Sequence, residues 1–221
     1  SNMFTILNNF LLLPIPLFVS IGELIFHSGV ASQLIRAVDK WLGAIPGRLG
    51  LVAVGAGTVL STLTGTSMAS VAVLGSVLVP QMEEQGYKKS MSLGPILGSG
   101  GLAVMIPPRG LAGRLGAIAQ ISVGRILIAI ILPGLLIAAI FAAYIIIRCQ
   151  LQPSLAPTYK VATIPLSEKL VELVKYIVPL GMVIFMVTGV IFLGIATPSE
   201  AAATGSVSTL LLALIYRRFN W

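Results

Sequence analysis

From Ile126 to Ile147 the chain runs without one charged side chain, bracketed by Arg125 and Arg148. As an α-helix rising about 1.5 Å per residue, this stretch measures about 33 Å, close to the thickness of a bilayer's hydrocarbon core. A helix of that kind satisfies its own backbone polar groups and exposes only apolar side chains to lipid. Composition extends the constraint to the whole chain. Of its 221 residues 57% are hydrophobic and 10% are charged, whereas soluble domains carry about 25% charged residues. The expected fold class is therefore an all-α polytopic membrane protein.

The net charge of +7 does not point to nucleic acid, because the basic residues lie between apolar segments rather than in one patch interleaved with aromatics. A single cysteine, Cys149, excludes an internal disulfide framework. The chain opens without the basic region and small-residue cleavage site of a signal peptide, and both ends read as cuts through a longer protein.

The order of segments follows from breaks in the apolar pattern. A first span over 4–26 contains Pro14 and Pro16, and over 29–46 Leu34, Ile35, Val38, Trp41 and Leu42 recur at helical spacing opposite Arg36, Asp39 and Lys40. The second stretch fits an amphipathic helix lying in the membrane interface, or one packed on its own protein. Between Leu49 and Met82, two apolar arms flank the hydroxyl-rich centre STLTGTS. Arms of about 12 residues reach roughly 18 Å, short of a ~30 Å core, which favours a re-entrant hairpin over one straight interrupted span. After Glu83 and Glu84, the glycines at 98, 100, 101 and 110 and the prolines at 107 and 108 predict a broken helix, since these residues disfavour helix interiors. Scaffold span and arm thus occupy 1–47. A transport part fills 48–148, with the hairpin at about 48–82, the broken helix at about 90–123 and a span at about 125–148. A linker covers 149–165, and 166–221 holds an amphipathic stretch and two further spans. Placing the hairpin mouth in the cytoplasm puts nearly all Lys and Arg on that side, with Arg125 opposite, as the positive-inside rule requires.

The string Gly65-Thr66-Ser67-Met68-Ala69 matches the nucleophile motif of subtilisin-type proteases, but such an enzyme needs Asp, His and Ser in that order within hydrogen-bond reach. Here the only histidine, His27, precedes the only aspartate, Asp39, and both belong to the first span's interfacial end. No enzyme is expected, and no clustered metal ligands occur in the sequence. Two broken segments with hydroxyls, free amides and free carbonyls at depth are how secondary transporters bind a coupling cation and an anionic substrate.

Several stretches carry a family resemblance: PLFVSIGELIFHSG at 16–29, the hairpin with GTSMA, Pro80-Gln81-Met82 followed by Gly86-Tyr87, Ile106-Pro107-Pro108, Ser122-Val123-Gly124 leading to LPGLL at 132–136, and ATPSEAAATG at 196–205. Together they resemble, in order, the large membrane (DctM-like permease) subunit of the tripartite ATP-independent periplasmic (TRAP) transporters. The resemblance implies the elevator fold of the ion-transporter superfamily, with a first inverted repeat and the start of a second from about residue 166, whose own hairpin is missing. It implies a sodium-coupled importer in the bacterial inner membrane that receives an organic acid, such as a C4-dicarboxylate or sialic acid, from a periplasmic substrate-binding protein. A small DctQ-like membrane subunit and membrane lipid are the other implied partners, with sodium as coupling ion and no further cofactor. By resemblance the sodium site falls on Thr64, Gly65, Thr66 and Ser67 at the hairpin tip and on Ala103, Ile106 and Pro108 at the break. The family usually has Gly where Ala103 stands and Ser where Arg109 stands. Arg109 and Ser67 are the substrate candidates; Arg109 alternatively pairs with a carbonyl or snorkels. Two other functions stay open: a carboxylate symporter of the same superfamily working without a binding protein, and a truncated membrane scaffold that does not transport.

Overall fold

A computed structural model describes residues 14–43, 45–64, 67–105, 123–157 and 165–216, and the regular structure among them is helical throughout. In chain order the helices are α1 (Pro14–His27), α2 (Val30–Leu42), α3 (Arg48–Thr64), α4 (Ser67–Glu84), α5 (Lys89–Met105), α6 (Val123–Leu151), α7 (Leu166–Glu172), α8 (Val178–Phe192) and α9 (Pro198–Ile215). A 3-10 turn, Pro153–Leu155, follows α6, and a π-helical turn, Leu173–Ile177, joins α7 directly to α8. By length and apolarity, the segments Ala129–Leu151 and Leu166–Phe192 suffice to cross a membrane. Their outward faces carry exposed Leu132, Leu136, Ile140, Met182 and Phe185, apolar surface that lipid covers without cost.

One group of helices forms around α3. Its Leu49, Val52, Ala53, Ala56 and Leu60 are buried, and α5 lies against both α3 and α4. Small residues allow the close approach. A Cβ on Gly57 would stand 2.5 Å from Ser99 Cβ, and one on Gly50 would stand 3.4 Å from Pro95 Cγ, so α3 and α5 run alongside one another in the same direction. The second group joins α1, α8 and α9. There a Cβ on Gly205 would meet Val187 Cγ2 at 2.4 Å and Ile21 Cδ1 at 3.0 Å, while Ser206 Oγ donates to the Leu17 carbonyl at 3.1 Å. A capping box starts α9: the Thr197 hydroxyl accepts from the Glu200 amide and the Glu200 carboxylate accepts from the Thr197 amide, satisfying two amides that a helix start leaves unpaired.

The groups meet where α1 packs on α3, and α2 packs on α3 and along α7 and the π turn. In α2, Leu34 and Ile35 are fully buried, whereas Trp41 is 42% exposed, so the apolar face of this amphipathic stretch packs on its own protein with Trp41 at the surface. Its polar face joins distant parts of the chain. Arg48, only 7% exposed, pairs through Nε with Asp39 Oδ1 at 2.7 Å, and its second guanidinium nitrogen donates to the Asp39 carbonyl at 3.0 Å. Lys40 Nζ bridges Glu168 at 2.8 Å and Glu172 at 2.6 Å, carboxylates one turn apart along α7.

Two expectations need correction. The hairpin arms are longer than twelve residues: α3 has 17 and α4 has 18, or about 25–27 Å each. Residues 61–64 of the hydroxyl-rich centre continue α3, with Thr62 Oγ1 donating to the Val59 carbonyl at 2.5 Å, as Thr58 Oγ1 in the arm before it donates to that of Val54 at 2.6 Å. Such back-bonding lets a hydroxyl sit inside an apolar helix. Second, Gly98, Gly100 and Gly101 do not break the chain, which stays helical from Lys89 to Met105; Gly98 and Gly100 are contact points, where packing outweighs low propensity, while Gly101 has nothing close by. Residues 106–122 lie outside the described part.

Candidate functional site at the hairpin tip

The tip is where α3 ends and α4 begins. Thr64 is the last residue of α3 and Ser67 the first of α4; Gly65 and Thr66 lie outside the described residues. A helix C-terminus leaves carbonyls without intrahelical donors, and an N-terminus leaves amides without acceptors. Two such ends meeting at one point place partial negative charge, suited to a cation, beside partial positive charge, suited to an anion.

The distal part of α5 packs against this point. A Cβ on Gly100 would lie 2.4 Å from Val71 Cγ2, 3.6 Å from the Ser67 carbonyl oxygen and 3.8 Å from Ser67 Cβ. Glycine at position 100 therefore lets the α5 backbone reach the first turn of α4. Ala103 lies in the last turn of α5, whose final residue is Met105. The structure thus brings Ser67 and the segment carrying Ala103 together, whereas Ile106, Pro108 and Arg109 fall outside the described residues.

Sequence reasoning placed Ser61 in the hydroxyl-rich centre but did not single out Ser70 and Ser99, which with it form a layer of hydroxyls beneath the tip. Ser61, Ser70 and Ser99 are completely buried. Ser61 Oγ donates to the Ser99 carbonyl at 3.4 Å across α3 and α5, and Ser99 Oγ donates to the Ile96 carbonyl at 2.7 Å. The available signal was their setting, since each is a small hydroxyl residue within an apolar helix close to glycine. Among the described residues no three His, Cys, Asp or Glu gather to hold a metal ion, so the oxygens available at the tip are hydroxyls and carbonyls.

Among the described residues, the ion-paired acids and bases gather around α2, at Asp39 with Arg48 and at Lys40 with Glu168 and Glu172. Hydrogen bonds to Glu168 and then Glu172 hold the Lys40 ammonium above the ordinary lysine range. Burial pushes the Asp39 carboxyl above the usual carboxylate range, outweighing the opposing pull of Arg48.

Comparison with known proteins bears on this arrangement. The profile of the family described as "Tripartite ATP-independent periplasmic transporter, DctM component" matches residues 1–221. The chain is 32% identical over 218 residues to the C4-dicarboxylate TRAP transporter large permease protein DctM of Pseudomonas aeruginosa, covering 97% of this chain and 49% of that protein. Against the ectoine TRAP transporter large permease protein TeaC of Halomonas elongata, identity is 32% over 207 residues, covering 94% and 47%. The isethionate TRAP transporter permease protein DctMQ of Oleidesulfovibrio alaskensis is 34% identical over 141 residues, covering 64% and 22%. The chain spans about half the length of most of these curated relatives, and less of the last.

Proposed function

The chain belongs to the DctM component family of the tripartite ATP-independent periplasmic transporters, and from that premise we propose that it serves as a permease component of a sodium-coupled importer of small organic anions. The observation that carries this reading is the meeting of two helix ends at Thr64 and Ser67 with the distal part of α5, held close by Gly100. Sodium is a hard cation that hydroxyls and carbonyls can ligate without a carboxylate. In this reading Thr64 to Ser67, Ala103, Ile106 and Pro108 hold the ion, and Ser67 and Arg109 meet the substrate.

The printed names of the relatives include a C4-dicarboxylate, ectoine and isethionate. Carboxylate or sulfonate is common to these molecules, so an oxyanion is the shared chemistry for which an amide-rich helix start is suited. A periplasmic binding protein would deliver the solute and a small membrane subunit would complete the assembly; the second proposal takes support from the DctMQ designation of one relative. Transport by elevator movement would shift the α3–α5 group relative to α1, α8 and α9, with α2 as the link between them.

The test is uptake into proteoliposomes holding the complete set of subunits and a candidate binding protein, with and without a sodium gradient. Accumulation should require sodium, and Ser67→Ala should raise the sodium concentration for half-maximal uptake about tenfold, the effect of losing about 1.4 kcal/mol of ligation. Uptake that ignores sodium would overturn the ion assignment. For Arg109, the measurement is the same uptake with Arg109→Ser: a rise in substrate KM supports contact with the anion, and unchanged or improved uptake removes it.

A further inference from the structure

Away from the tip, α3, α5, α6 and the 3-10 turn enclose a cavity of about 250 Å³. Its walls are mostly apolar, including Val54, Pro95, Phe141 and Ile145, but Ser90, Tyr144 and Arg148 also line it. Phe141, Tyr144, Ile145 and Arg148 follow i, i+3, i+4, i+7 spacing and so share one face of α6. Facing them, Gly94 and Gly98 leave α5 without side chains at the groove. A Cβ on Gly98 would meet the Phe141 ring at 3.3 Å, whereas one on Gly94 would meet nothing within 4 Å. The missing side chain of Gly94 is therefore part of the open space.

The depth of the cavity follows from α6. Arg125 and Arg148 are 23 positions apart, or about 35 Å along the helix, so they bracket one bilayer core. Arg148 thus stands at headgroup level, with Tyr144 one turn deeper, where tyrosine is favoured at an interface. Lys88 and Lys89, both exposed, immediately precede Ser90, and the Lys88 amide donates to the carbonyl of the cavity-lining Leu155 at 3.0 Å. Among the described residues neither lysine nor Arg148 is in an ion pair. Exposed Leu97 and Ile140 continue the apolar surface along α5 and α6.

We propose that this cavity is a binding site for one anionic phospholipid, with the phosphate at Arg148, Ser90 and Tyr144 and an acyl chain along the glycine-lined α5–α6 groove. Basic cavities between membrane helices suit such headgroups. The apolar walls argue for lipid rather than a free phosphate ion, which would gain nothing from them. This site is independent of the transport reading, since it uses none of the tip residues.

Native mass spectrometry of the full 221-residue chain in detergent, titrated with phosphatidylglycerol or phosphatidylcholine of equal chain length, tests the proposal. Phosphatidylglycerol should be retained about fivefold more than phosphatidylcholine, the difference expected from one interfacial cation. Arg148→Gln should abolish that preference, and Gly94→Leu should reduce retention of both lipids by filling the groove. Arg125→Gln, at the far end of α6, should change nothing. Circular dichroism of each variant checks that it is folded; if Arg148→Gln fails to fold, Gly94→Leu decides. Equal retention of the two lipids, unchanged retention in folded Gly94→Leu, or displacement of phosphatidylglycerol by millimolar inorganic phosphate would each overturn the proposal.

Discussion

Gly57 and Gly94 look alike in the sequence, yet the structure gives them opposite roles. At Gly57 a Cβ would fall 2.5 Å from Ser99 Cβ and 2.7 Å from its Oγ, atoms too close to the α5 backbone to swing away; at Gly94 it would enter open space. Gly57→Ala should therefore destabilise the protein by about 1–3 kcal/mol, the usual penalty for overpacking. Gly94→Ala should be neutral or stabilising by up to about 1 kcal/mol, because alanine is the better helix former. Thermal unfolding in detergent measures both, and Ser99→Gly should recover part of the Gly57→Ala loss if the clash is its cause. Equal effects at the two positions would count against this packing of α3 on α5. Neither role can be read from the letter G, since both depend on what stands opposite.

At the scale of elements, α2 acts as a strap. Its apolar face enters the core while Asp39 and Lys40 reach the base of the hairpin and α7. The sign of the lysine effect is settled by its raised proton affinity: a group held above its ordinary range contributes fully below the unfolded pKa and ceases to contribute as pH rises past the folded one. The α2–α7 contact should accordingly be constant between about pH 7 and 9 and loosen only above about 10.4, the ordinary lysine value. Spin labels at the exposed positions Arg36 and Val171 would report this as a distance change that Lys40→Met reproduces at neutral pH. The Asp39–Arg48 pair invites a double-mutant cycle. Asp39→Ala should cost more than Asp39→Ala combined with Arg48→Leu, because a buried guanidinium deprived of its counter-charge is worse than none. The amphipathic pattern of 29–46 foretold this helix, but the partners of its polar face lie as far away as Glu172, beyond any local pattern.

Across the whole molecule, burial is uneven. Residues of α3 and α5 hold much of the core, whereas α7 has no buried residue. Hydrogen exchange should be slower in α3 and α5 than in α7 by at least about tenfold, since local opening follows the density of buried contacts; similar rates would contradict this division. The sequence alone determined the medium, the helical class and the family, because each rests on signals local in the chain: an uncharged run from Ile126 to Ile147, a periodicity of 3.6, and short motifs in a fixed order. It misjudges the arms' length because the hydroxyl residues from Ser61 onward read as interruptions, although Thr62 bonds back to its own helix. Tertiary structure alone decided which glycines are contacts and which are cavities, that Gly100 brings α5 to Ser67, that Lys40 holds α7, and that Arg148 lines a cavity. Those outcomes depend on pairs of residues far apart in sequence, and their energies come from packing distances and desolvation that no single segment contains.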